Sequence, residues 1–283
     1  MTLLNRNYPI LKWAGGKSRS LEYLLDYFDP ADVFVEPFLG SGAVFINTLY
    51  PRYILADTNV DLINTYCIVK EQPEKFIEEL RPLWTLEMKN KEAYLEIRDE
   101  FNREPFTKSV RRSAIFMYMN HFGFHGLCRY NSSGFFNVPF GSKSDKVHPL
   151  PEDKIMRFSE LSQKADFYCQ DFEKTLEMVP DNAVVYCDPP YAPLKPETFS
   201  SYTKEDFDLS DHARLHQAVV DLVNRRENVS AFISNHSTDF VEGLYKDATA
   251  IDYLMVYRNI ARQSDERKEV KELVATFKKA GKS

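Results

Sequence analysis

The chain has 283 residues, 43% of them hydrophobic and 28% charged, a globular composition that excludes disorder and collagen-like repeats. No uninterrupted apolar stretch approaches the ~18 residues of a membrane span, and the N-terminal MTLLNRNYPILKWAGGK lacks the apolar core of a secretory signal; a cytoplasmic protein without a membrane partner is expected. A formal net charge of −6 excludes a uniformly basic nucleic-acid coat, though not a local basic patch.

Trp13-Ala-Gly-Gly-Lys-Ser18 comes first along the chain. Gly16-Lys17-Ser18 matches the end of a phosphate-binding loop, but that pattern needs glycine where Leu11 stands, and no strand precedes it. The segment reads instead as a tight glycine turn that holds an aromatic and a lysine against a small charged ligand. Val33–Glu36 is a short apolar run stopped by Pro37, a buried strand. Phe38-Leu39-Gly40-Ser41-Gly42 follows, and Ala43–Leu49 suits a helix. Glycines at such a turn let the backbone approach a ligand, and a helix N-terminus offers free N–H groups. Tyr53–Ala56 is a second strand, ending at Asp57, where a carboxylate can accept bonds from two ribose hydroxyls. Phe45 stands where the third glycine of a dinucleotide fingerprint would fall. A nucleoside without a pyrophosphate therefore fits better than NAD.

Residues 60–150 show helical patterns and one hairpin, with its turn at Asn131–Gly134 followed by FFNVPFG; Pro149 and Pro151 mark the return to the α/β pattern. Between Arg103 and Lys146 seven Lys/Arg face two acids, a local excess of +5; from Arg258 onward the excess is +4. A basic insert in an acidic host reads either as the footprint of a polyanion site or as a solvated helix face. Next come a strand at Phe167–Cys169 followed by Asp171, a strand at Ala183–Cys187, a helix at Leu209–Asn224 and a strand at Val229–Ile233. Strands alternating with helices imply an α/β fold with a mostly parallel sheet covered on both faces. Cys67, Cys128, Cys169 and Cys187 form no C-x-x-C pair, so no zinc ribbon or redox motif is expected and the thiols read as reduced.

Asp188-Pro189-Pro190-Tyr191 closes the fourth strand, the end at which open parallel sheets bind ligands. Proline contributes no N–H, so the motif offers acceptors only, the Asp188 carboxylate and the Pro189 carbonyl, beside the flat face of Tyr191. Two acceptors suit a planar exocyclic amine such as N6 of adenine. Holding its two N–H groups draws the nitrogen toward tetrahedral geometry, while an aromatic ring stacks on the base.

The blocks Lys12–Lys17, Phe34–Gly42, Tyr53–Asp57, Gly126–Asn131, Phe136–Gly141 and Val185–Tyr191, with Ser234-Asn235-His236, occur in the order of the Dam family of DNA adenine N6-methyltransferases, which the chain resembles from Lys12 to about His236. The resemblance implies a Rossmann-like S-adenosylmethionine-dependent catalytic domain, residues 1–59 and 151–283, with an inserted, mainly helical target recognition domain, residues 60–150, that carries the hairpin. It implies S-adenosylmethionine as donor, with S-adenosylhomocysteine as product, in a pocket of Trp13, Lys17, Phe38, Gly40, Gly42, Asp57, Asp171, Phe172 and Asp188. Asp188, Pro189, Pro190 and Tyr191 then hold the target base. Lys12, Phe124, His125, Leu127, Arg129 and Asn131 meet double-stranded DNA in 5′-GATC-3′ or a related site. Phe124 is the wedge for base flipping, and Arg129 the guanine reader or else a phosphate clamp. The family often has Tyr-Asn where this chain has Phe124-His125. No metal is expected, since a sulfonium methyl is already electrophilic, and His121 and His125 read as ordinary polar contacts. A monomer is expected. The same acceptor motif would serve an amine or amide on RNA or protein, and a catalytically silent DNA-binding module would share the fold.

Overall fold

The computed structural model describes residues 6–103, 107–141, 146–193, 207–259 and 267–279. Two units emerge from its contacts, one of residues 1–25, 39–49 and 57–169, the other of residues 26–38, 50–56 and 170–283. Among the described residues no helix is long and apolar enough to cross a membrane.

The second unit is built on a sheet. Strands β1 (Val33–Glu36), β2 (Arg52–Asp57), β4 (Ala183–Cys187), β5 (Val229–His236), β6 (Ala250–Asn259) and β7 (Arg267–Lys278) lie in the order β2-β1-β4-β5-β7-β6. β1 pairs in parallel with β2 and β4, and β4 with β5, with Val33 opposite both Arg52 and Ala183. Every residue of β1 and β4 is buried, which explains their unbroken apolar runs: a strand covered on both faces has no solvent side to mark with polar residues. β7 runs antiparallel to both β5 and β6, so the expected parallel sheet is completed by an antiparallel pair that the sequence reading did not assign. Helices α7 (Phe172–Glu177), α8 (Leu209–Arg225) and α9 (Asp239–Leu244) belong to this unit. α8 starts at a capping box of Asp208 and Asp211 and buries His212, Leu215, Val219, Leu222 and Val223, the 3-4 spacing of one apolar face.

The first unit is mainly helical, with α1 (Leu21–Leu25), α2 (Val60–Glu71), α3 (Pro73–Leu80), α4 (Lys91–Arg103), α5 (Val110–Phe122) and α6 (Glu152–Ser162), followed by strand β3 (Ala165–Cys169). α5 is buried at every position from Arg112 to Asn120, as a helix enclosed by others must be. Asn59 caps α2 by accepting the Leu62 N–H, and Ser109 caps α5 by accepting that of Arg112.

Two expectations change. Ala43–Leu49 forms only the single 3-10 turn Phe45–Asn47, with Thr48 already extended. The Asn47 side chain donates to the carbonyls of Ala43 and Asn7 and accepts from the Asn7 N–H, a local competitor of helix bonds, and Pro51 follows two residues after Leu49. The turn at Asn131–Gly134 forms, with Gly134 N–H donating to Asn131 O and Asn131 N–H to Phe135 O. Its arms, however, pair only through isolated bridges, Tyr130 with Phe136 and Gly123 with Phe140. Pro139 has no N–H to give, and the Asn102 amide side chain takes both backbone groups of Phe136.

Candidate active site

In the first unit the glycine loop and Asp57 are bonded to each other. Asp57 Oδ2 accepts the Gly40 N–H at 3.0 Å and Oδ1 accepts the Asn59 N–H at 2.9 Å. Burial pushes the Asp57 carboxyl above its usual range, against the pull of these backbone donors. The Tyr66 hydroxyl donates to Gly40 O at 2.8 Å. Gly40 has φ +48°, and a Cβ there would lie 2.8 Å from Trp13 Cδ1, so only glycine lets the indole lie against this turn. Lys17 is buried, its Nζ 3.1 Å from Gly15 O. Trp13, Gly40 and Asp57 thus share one loop cluster. A carboxylate held by two backbone donors, beside a glycine turn and an aromatic, is an acceptor that fits the ribose hydroxyls of a nucleoside.

In the second unit Phe38 and Phe172 stack at 5.5 Å and 27° between ring planes, with Phe207 edge-on to Phe38 at 5.6 Å. Asp171 caps α7 by accepting the Glu173 N–H, and the Arg214 guanidinium lies 5.0 Å over the Phe172 ring. Asp188 follows directly on β4, and the residue after the motif, Ala192, is clamped on both backbone groups. Its N–H donates to Asn235 Oδ1 at 3.0 Å and its carbonyl is 2.8 Å from His236 Nδ1. Asn235 Oδ1 also accepts the His236 N–H, and its Nδ2 faces His212 Nδ1 at 3.3 Å. Burial pulls His212 down to about 4, so its imidazole is neutral above that pH and can offer a ring nitrogen as acceptor to the Asn235 amide. The Tyr191 hydroxyl donates to Glu272 Oε2 at 3.2 Å, and its ring meets His236 edge-on at 4.8 Å. Asn235 and His236, at the end of β5, therefore fix the exit of Asp188–Tyr191 from β4, and the Ser234 Oγ lies 2.8 Å from the Tyr186 hydroxyl within β4.

The residues expected to meet DNA all fall in the first unit. Lys12 exchanges backbone bonds with the Asn120 side chain at 2.8 Å each way, and its Nζ donates to His121 O at 2.8 Å. Phe124 is 41% exposed on a stiff backbone: its N–H donates to Pro139 O, and a Cβ on Gly141 would lie 2.2 Å from Phe124 Cα. His125 adopts φ +54°, its ring edge-on to Phe124 at 4.2 Å. Leu127 is half-buried and donates its N–H to Phe124 O. Arg129 is exposed, with Nε on Asn137 Oδ1 at 2.7 Å and a terminal nitrogen on Asn137 O at 3.3 Å. That contact orients the fork and leaves its terminal edge for a ligand. Asn131 spends Oδ1 on the N–H groups of Ser133 and Phe135, so its carbonyl serves the turn.

Residues 13–261 match the model of the D12 class N6 adenine-specific DNA methyltransferases. The chain belongs to this family. It is 42% identical over 278 residues to the DNA adenine methylase of Haemophilus influenzae, covering 96% of this chain and 94% of that one. Identity to the DNA adenine methylase of Vibrio cholerae is 41% and to that of Escherichia coli K12 40%, each over 97% of both chains. The protein is thus an S-adenosylmethionine-dependent methyltransferase acting at N6 of adenine in DNA.

Several neighbours of the methyltransferase's site escaped the sequence reading. Glu272 lies in β7, beyond the segment matched by the family. Phe207, Arg214 and Asn120 approach the candidate residues only through the fold. The basic excess of the insert is partly neutralised: Lys108 pairs with Glu71 at 2.7 Å, Arg111 with Glu100 at 2.9 Å, and Arg112 with Asp61 at 2.7 Å. Three of the seven basic charges counted in the insert are answered inside the first unit. His121 adds none, since burial takes it down to about 4 and its Nε2 bonds Ile10 O at 2.8 Å.

Gly40→Ala places a side chain against Trp13 in a left-handed conformation that costs about 1–2 kcal/mol; calorimetry should show weakened S-adenosylmethionine binding. His121 and His212 titrate near 4 in the folded chain against an ordinary 6.5. Between those values the unfolded chain binds protons that the folded chain refuses, so stability rises with pH from about 4 to 6.5 and is lost as pH falls. Urea midpoints across that window should show the slope, and His121→Gln, which keeps a donor for Ile10, should reduce it to the part that His212 contributes.

Proposed function

We propose that the methyltransferase acts on duplex DNA at 5′-GATC-3′ as a monomer, on an adenine turned out of the helix. The observation that carries the reading is the acceptor-only motif Asp188–Tyr191 at the exit of β4, clamped at Ala192 by Asn235 and His236. The two prolines deny N6 a competing donor, so the Asp188 carboxylate and the Pro189 carbonyl take its two N–H groups and aim the lone pair. Tyr191 supplies a face for the base. S-adenosylmethionine, when bound, supplies a methyl on a positively charged sulfur, so neither a metal nor a covalent enzyme intermediate is required. The residues proposed to bind it are Trp13, Lys17, Gly40, Gly42 and Asp57, with Asp57 on the ribose, and Phe38, Asp171, Phe172 and Asp188. Positioning of the two reactants contributes most of the acceleration.

The target amine is hidden in a base pair, so flipping precedes transfer. Phe124, an exposed ring on a stiff backbone, is the wedge that fills the vacated stack, at a cost of a few kcal/mol of unstacking that DNA contacts offset. Arg129, oriented by Asn137, reads a guanine through O6 and N7, and Lys12 serves a second guanine. His125, Leu127 and Asn131 line the remaining contact. On this reading residues 60–150 recognise the target, and residues 1–59 and 151–283 perform the transfer.

The test is transfer of labelled methyl to duplexes containing GATC, duplexes with one base of it changed, RNA and protein. The reading predicts label in GATC duplexes; equal labelling of RNA or protein contradicts it. Arg129→Ala should lose about 1–3 kcal/mol of discrimination at its guanine. A uniform loss on all duplexes would make Arg129 a phosphate clamp instead.

A further inference from the structure

Arg129 is flanked on both sides by residues tied to one short segment, Asn59–Asp61. On one side Asn59 Nδ2 donates to Cys128 Sγ at 3.3 Å. On the other the Tyr130 hydroxyl donates to Asp61 Oδ2 at 2.7 Å. The acceptor is itself immobilised. Asp61 is 2% exposed and takes both Nε and a terminal nitrogen of Arg112, at 2.7 and 3.2 Å. Arg112, 6% exposed, also donates to Phe101 O at 2.9 Å and lies 3.8 Å over the Phe101 ring. The segment is anchored at its start too, where Asn59 caps α2 and donates its N–H to Asp57 Oδ1.

Nothing in the transfer step uses this network. A buried ion pair is a weak source of net stability compared with apolar packing, but it can specify one arrangement. A short hydroxyl bond to a charged acceptor is directional. Bidentate reading of a base demands a fork held to within about 0.5 Å. The Asn137 contacts orient the guanidinium, and the Asn137 N–H holds the Arg129 carbonyl at 3.0 Å; the Tyr130 hydroxyl ties that pair of arms to the buried Asp61–Arg112 pair. Burial keeps the Tyr130 phenol protonated, well above the ordinary tyrosine range, so the strut is present throughout the working pH range.

We propose that Tyr130, through its hydroxyl on the buried Asp61–Arg112 pair, is a positioning residue for sequence choice, holding the Arg129 backbone in register for its guanine. The proposal rests on the reading of Arg129 given above.

The experiment compares wild type, Tyr130→Phe, Arg129→Ala and the double variant, each measured for kcat/KM on a GATC duplex and on one with the guanine replaced, and for S-adenosylmethionine affinity. Tyr130→Phe removes one oxygen and leaves Asp61–Arg112 paired, so the chain should fold. It should lower the ratio of the two kcat/KM values by about 3- to 10-fold, the effect of one lost hydrogen bond, through loss on GATC, with cofactor affinity unchanged. In the Arg129→Ala background the same change should leave the ratio where Arg129→Ala alone puts it. An unchanged ratio for Tyr130→Phe beside a collapsed one for Arg129→Ala overturns the proposal and spares the guanine reading. An equal loss on both duplexes also overturns it, as the mark of a merely structural residue. An unchanged ratio for Arg129→Ala overturns the guanine reading and the proposal together.

Discussion

Asp188→Ala is expected to lower methyl transfer by at least about 10²–10³-fold, the loss that follows removal of one preorganised polar group at a reacting centre. The size of the effect comes from what surrounds the position. Pro189 and Pro190 lack N–H groups, and the Ala192 N–H is engaged by Asn235 at 3.0 Å. Asp188 is the one carboxylate of the motif; on the proposed reading its loss leaves the Pro189 carbonyl as the single acceptor aimed at N6, and one acceptor cannot pin both hydrogens. Asp188→Asn should fall nearly as far, since an amide nitrogen presents donors to an amine that needs acceptors. The measurement is single-turnover transfer at saturating DNA, alongside calorimetric S-adenosylmethionine binding, which should persist in part. Normal turnover in Asp188→Ala would remove Asp188 from the mechanism.

Arg112→Met should destabilise the fold by about 3–5 kcal/mol, because it strands a buried carboxylate. Asp61 would retain the Tyr130 hydroxyl, a neutral donor, in place of a bidentate guanidinium. Restoring the balance with Asp61→Leu in the same chain should recover much of the loss, since an apolar pair carries no desolvation cost. The adjacent residue is the control. Arg111 also meets a carboxylate, Glu100 at 2.9 Å, but both side chains are about a third or more exposed (40% and 34%). Arg111→Met should therefore cost only about 0–1 kcal/mol. Urea denaturation of the four chains decides the matter, and equal midpoints for the two arginine variants would contradict this account of the core.

That contrast also marks where the sequence is legible. Arg111 and Arg112 look identical in a count of charges, and both entered the basic excess of the insert. Only the fold reveals that Arg112 is spent inside the unit, on a carboxylate fifty-one positions away. Strands β1, β2, β4 and β5 could be read because each is a short apolar run stopped by proline or followed by a polar residue. The site motifs could be read because they sit at those strand ends. β6 and β7 could not, since Arg267–Lys278 mixes five charged residues into its first six positions and hides the apolar stretch Leu273–Phe277 that enters the sheet. Glu272 beside Tyr191, Asn120 beside Lys12 and Asp61 beside Tyr130 are pairings across long loops of chain. No local pattern announces them. The glycine loop and Asp57 stand between these extremes. Their residue types suggested a shared ligand, and the Gly40–Asp57 bond adds the physical link.

The most direct test of the function is digestion of plasmid DNA from a methylase-deficient bacterial host that expresses this chain. Two restriction enzymes are used, one blocked by N6-methyladenine in GATC and one that requires it. The account predicts complete protection from the first and complete cutting by the second at every GATC site. Full cutting by the first and none by the second, from a host shown to contain the folded protein, would contradict the assignment of GATC as its target.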